Sequence, residues 1–168
     1  MELIKKLFIF STLGFLFLGC ERDDICSEAF QVTPRLIIEF YDINETESNK
    51  NVSDLSIVAF GEEDTLDLGT TNRIEIPLRT DQESTRYSFI RLANNEEFIN
   101  VDEINFSYAN REVYVNRACG FKSEFLDFRA FRVIEDNPEN NWMRSLSVQQ
   151  TQIENDQNED QVHLFIFH

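Results

Sequence analysis

Residues 103–108, EINFSY, alternate polar and apolar side chains without a break. Successive side chains of an extended strand point to opposite faces, so Ile104, Phe106 and Tyr108 share one face. The same period recurs on both sides of this run. RLIIEFYD (35–42) aligns Leu36, Ile38 and Phe40, LSIVAF (55–60) aligns Leu55, Ile57 and Ala59, and TRYSFI (85–90) aligns Tyr87 and Phe89. RIEIPLR (73–79) aligns Ile74, Ile76 and Leu78, with Pro77 on the outer face, as an edge strand permits. After EINFSY, Ala109-Asn110-Arg111 reads as a short turn into EVYV (112–115), because Asn tolerates left-handed backbone; this predicts a hairpin. Alternation resumes over 121–125, near Phe131 and Val133, over 142–148 and in the final VHLFIF. No stretch sustains a 3.6-residue period. The pattern predicts an all-β chain: a single β-sandwich, Ig-like or similar, of about eight or nine short strands after an N-terminal signal peptide. A barrel is the alternative architecture. The polar stretches 44–54 and 154–160 read as mobile loops between strands.

The N-terminus has a different grammar. Lys5 and Lys6 precede an uncharged apolar run over residues 7–18. That run is short of the roughly 20 residues needed to cross a bilayer core as a helix. A cationic start, a short apolar stretch and a small residue at its end describe a secretory signal. The ending, Gly19-Cys20, resembles the lipobox of bacterial lipoproteins, in which the cysteine receives a diacylglycerol thioether and becomes the new N-terminus. Phe17 and Leu18 depart from the usual Leu and small residue at those two positions. The expected organisation is a signal peptide over 1–19, a lipidated tether over 20–32 and a β-sandwich over 33–168. Membrane attachment would then reside in the lipid, since each buried methylene contributes about 0.8 kcal/mol.

Fifteen Lys and Arg stand against 31 Asp and Glu, a net charge of −16. Such a balance argues against nucleic acid, whose phosphates require clustered cations, and against a domain lying flat on anionic lipid. Acids directly after Cys20, at Glu21, Asp23 and Asp24, resemble surface-export signals of lipoproteins of the Bacteroidota. The expected location is the outer membrane, facing the periplasm or the cell surface.

Cys26 and Cys119 remain once Cys20 is assigned to lipid. An exported compartment permits disulfides, and one bridge is the natural reading of a leftover pair. It would close a loop of about 94 residues and contribute about 4–5 kcal/mol in the chain-entropy model. Two buried thiols and a metal pair are the alternatives, the latter poorly supplied with ligands. DDIC (23–26), TPRLIIEFYD (33–42) and NREVYVNRACGFKSEF (110–125), with Trp142 and an apolar final strand, resemble a family of small Bacteroidota lipoproteins of unknown function. That resemblance implies an exported lipoprotein and supports pairing Cys26 with Cys119. It implies no activity.

Candidate chemistry is sparse. His163 and His168 differ by five positions, so on a strand they face opposite sides and cannot share a ligand. His163 reads as an edge-strand residue. No G-x-S-x-G elbow is present, and the acid-rich segments 42–47 and 154–160 lack the glycine and final Glu of an EF-hand loop. No catalytic residue, cofactor or metal is expected. Arg111, Arg117 and Lys122 lead a run of six cations within 111–144 and are the candidate interaction patch, with cross-strand pairing to acids as the alternative. The expected function is a non-catalytic protein-interaction module of the cell envelope, anchored by lipid and contacting another envelope protein. A glycan- or cation-binding module and a hydrolase using dispersed carboxylates are the alternatives.

Overall fold

The computed structural model describes residues 32–133, 140–155 and 161–168. Among them are nine strands: β1 (Leu36–Tyr41), β2 (Val52–Ala59), β3 (Thr65–Thr71), β4 (Arg73–Ile76), β5 (Ser84–Arg91), β6 (Asn100–Asn116), β7 (Gly120–Arg132), β8 (Ser145–Val148) and β9 (Leu164–Phe167). They form a four-stranded sheet, β4-β1-β9-β8, and a five-stranded sheet, β3-β2-β5-β6-β7, which pack as a sandwich. Every pairing is antiparallel except β1 with β9. The core lies between the inner faces, where Phe40, Phe89, Phe106, Phe125 and Phe128 are all but inaccessible to solvent. Each such side chain contributes on the order of 2–3 kcal/mol by leaving water.

The alternating faces read from β1, β2, β4, β5 and the first half of β6 are the faces the core uses. β4 is an edge strand and Pro77 follows it directly, so its missing N–H leaves no ladder bond unmade. Other expectations need correction. The turn placed at residues 109–111 is the middle of β6: EINFSY and EVYV are one strand of 17 residues. The chain reverses at residues 117–119, where Asn116 Oδ1 accepts the amides of Ala118 and Cys119 and Gly120 takes φ +70°. Asn110 stays extended and its side-chain amide donates to the Thr80 carbonyl. The runs at 121–125 and near Phe131 are likewise one strand, β7, bent at Asp127 by a register shift opposite Tyr108.

β3 was not expected, because its side chains are mostly exposed or half-buried and carry little alternation. β9 is not at an edge; it is central, between β1 and β8. Residues 52–54, read as loop, open β2.

Candidate functional site

The sandwich has two dissimilar ends. At one, the described chain begins: the Thr33 hydroxyl accepts the amide of Ser123 at 3.1 Å, and the Val32 carbonyl accepts from Asn155. Here β6 and β7 run past β5, whose pairing with β6 stops at Ser84 and Ser107. The protruding ribbon carries Tyr114 and Phe121, cross-strand partners 56% and 66% exposed, with ring centroids 5.4 Å apart. Cys119 lies in its turn; Cys20 and Cys26 lie outside the described residues.

The cations expected to form a patch sit on this ribbon and do not act alike. Arg111 donates to Glu124 at 2.5 Å and to Glu154 at 3.2 Å. Lys122 reaches the other oxygen of Glu124 at 2.9 Å. Burial pushes the Glu124 carboxyl up, but hydrogen bonds from Lys122 and Arg111 outweigh it and hold it below the ordinary glutamate value. Arg117 is exposed in the turn and makes no ion pair with the described residues. Two of the three candidate cations therefore share one carboxylate, with Glu154 as a second partner of Arg111, the cross-strand alternative of the sequence.

Beside the ribbon opens a cleft of about 350 Å³, missed in the sequence because it is assembled from four separate segments. Phe60, exposed, stands at its rim with the Arg86 guanidinium 4.7 Å from its ring centre. Gln82, Asn105 and Arg79 add planar polar groups, Arg79 held by a two-pronged contact with Asp81. Its floor is rigid. Tyr87 donates to the Pro77 carbonyl, Tyr108 to the Arg79 carbonyl, and Thr85 Oγ1 accepts the Arg79 amide.

At the opposite end, the loop 92–99 is tied to the start of β2, beside the loop 42–51. The amides of Leu92 and Ala93 donate to the carbonyls of Ser53 and Asp54. One loop, 42–51, is folded on itself: Asp42 N–H donates to the Ser48 carbonyl, Lys50 N–H to Phe40, and Lys50 Nζ pairs with Asp42 at 3.2 Å. The other, 92–99, presents Phe98 and Ile99, both exposed, after Glu96 and Glu97. Sequence reading singled out the first loop and not the second. The signal available was a Phe-Ile pair outside any alternating run.

Both histidines are buried and neither faces an open site. His163 Nδ1 accepts the Ile37 amide at 2.9 Å, and burial with the nearby charge of Arg73 lowers its pKa to about 4. His168 packs edge-on against Phe40 and Trp142, and burial lowers it too. The remaining buried acid, Asp102, binds the side-chain amide of Asn141 at 3.0 Å and the backbone amide of Met143 at 2.7 Å, pinning the segment before β8. It is in phase with Ile104 and Phe106, a signal of an inward position that the sequence analysis did not use. Among the described residues no group of three or more His, Cys, Asp or Glu is placed to hold a metal ion. Residues 156–160, most of the acidic segment considered for cations, lie outside them. No helix among the described residues is long and apolar enough to cross a membrane.

These features define a two-sheet all-β domain with a protruding aromatic ribbon and cleft at one end and a loop platform at the other. Over residues 54–167 the chain matches the Family of unknown function (DUF6452), and it belongs to that family. The matched span covers more than half of the chain and leaves out β1. No curated protein and no solved structure matches it.

Proposed function

We propose that this chain is an exported lipoprotein, carrying diacylglycerol on Cys20 at the outer membrane, on its periplasmic side or at the cell surface. Its domain is a non-catalytic module that binds another envelope protein through the end remote from the tether. The observation that carries this reading is the separation of the two ends. The described chain begins beside Ser123, while the loop with Phe98 and Ile99, tied to the start of β2, stands at the other end of the sandwich. An exposed apolar pair beside Glu96 and Glu97, on a chain of net charge −16, suits a partner with a basic rim. Affinity capture from detergent-solubilised envelopes tests it. Phe98→Ser with Ile99→Ser should abolish recovery of the partner seen with the native protein. Identical recovery from both would sink the idea.

Lipidation predicts that Cys20→Ser releases the protein from membranes or leaves the precursor unprocessed; a mature chain starting elsewhere than Cys20 would contradict it. The Cys26–Cys119 bridge belongs to the same proposal. Thr33 sits beside Ser123, so Cys26 is seven residues upstream of a point four residues from Cys119, well within reach of an extended chain. Alkylation of Cys26 and Cys119 without reductant would exclude the bridge.

One observation favours a second reading. An exposed ring at Phe60, lining one cleft with planar Arg, Asn and Gln side chains, is the chemistry that recognises a sugar ring and its hydroxyls. Saccharide titration of the native protein and of Phe60→Ala compares the two readings; binding lost only in the variant would favour the glycan.

A further inference from the structure

We infer that the tip of the β6–β7 ribbon is a lipid-contacting element, and that Tyr114 and Phe121 enter the headgroup region of the membrane that carries the anchor. The inference rests on the lipidation proposed for Cys20. Three observations place the tip there. The first is the leash. Only 11 residues separate Cys20 from Val32, whose carbonyl is bound by Asn155 and whose neighbour Thr33 is bound to Ser123 of β7. Fully extended, that tether spans at most about 40 Å. The tether thus joins the domain at the ribbon end, and the ribbon is the part of the domain nearest to its attachment point.

The second is side-chain chemistry. Tyr114 and Phe121 are direct cross-strand partners on one face, more than half exposed, on a ribbon that β5 has ceased to support. Tyr114 has the amphipathic ring that membrane interfaces select, and Phe121 adds apolar surface beside it. The third is charge. Residues 110–125 hold Arg111, Arg117 and Lys122 against Glu112 and Glu124, a slightly positive stretch in a chain of net charge −16. With Arg111 and Lys122 paired to Glu124 and Glu154, the tip presents aromatics, Arg117 and Glu112, and is close to neutral on an acidic body. An acidic body repelled by anionic headgroups approaches them most easily by this point.

The experiment uses the full lipoprotein bearing Phe121→Trp, reconstituted into phosphatidylethanolamine–phosphatidylglycerol vesicles whose acyl chains are brominated near their headgroup ends. Trp142 is buried in the core and serves as an internal standard that lipid bromine does not reach. Flotation is measured first, then quenching. Protein that floats should show emission from the introduced indole shifted to the blue and reduced by about half, as expected of a ring in the interface. Tyr114→Trp, on the same face, should behave alike. Protein that floats with an unquenched indole overturns the inference alone, whether the ring is wet or covered by protein, the latter told by a blue shift without quenching. Protein that fails to float overturns the anchoring itself and the inference with it. Native circular dichroism of each variant before reconstitution separates these outcomes from misfolding.

Discussion

The two halves of the β6–β7 hairpin are made of similar residues and behave oppositely. At its root, Ile104, Phe106 and Tyr108 are buried beneath the four-stranded sheet, and even the carboxylate of Asp102 is enclosed. At its tip, Tyr114 and Phe121 stand in solvent with the same alternation beneath them. The difference lies in what covers the strand. β5 ends at the level of Ser107, so beyond that point two strands continue without a neighbour on the β5 side. Period-two patterning assigns a face; coverage decides whether the face is core.

The most direct way to break the comparison is at the root. Phe106→Ala empties a site packed by Phe89 and Phe128 and should cost about 3–5 kcal/mol in urea unfolding. Across the core, His163 tests burial by pH. Its folded pKa, about 4, lies below the unfolded value near 6.5, so its contribution is complete above pH 6.5 and lost as pH falls toward 4. That window corresponds to about 3 kcal/mol. His163→Asn keeps an acceptor for the Ile37 amide but does not titrate. The stability difference between native and variant should shrink between about pH 7 and pH 4.5 as the native protein loses stability; a constant difference would refute the assignment.

Smaller effects sharpen the contrast. Asp102→Ala strands the amides of Asn141 and Met143 and should cost about 2–3 kcal/mol, with Asp102→Asn recovering part of it. Tyr114→Ser with Phe121→Ser should change unfolding free energy by less than about 1 kcal/mol. A larger loss would mean that the tip is core after all.

What could be read in the sequence follows the same division. β1, β2, β4 and β5 each bury one face, so alternation marks their faces. β3 stays largely exposed and carries no such signal. The hairpin turn was misplaced because Asn110 in Ala109-Asn110-Arg111 looks like a turn residue, whereas the reversal depends on Asn116 and Gly120 acting together. The cations Arg111 and Lys122 were legible, but Glu124 between them becomes a shared partner only through cross-strand register. Tyr114 and Phe121 are neighbours for the same reason. The cleft gathers residues from both sides of three turns, and no local pattern announces such a meeting.

The parallel pairing of β1 with β9 joins segments about 126 residues apart. A ribosome or a translocon delivers the first of these long before the last. Until β9 arrives, β1 has only the short β4 beside it and the smaller sheet has no centre. Closure of so long a loop makes the final step slow and leaves an apolar edge open meanwhile. Commitment of the smaller sheet therefore waits on β9, however complete the larger sheet already is.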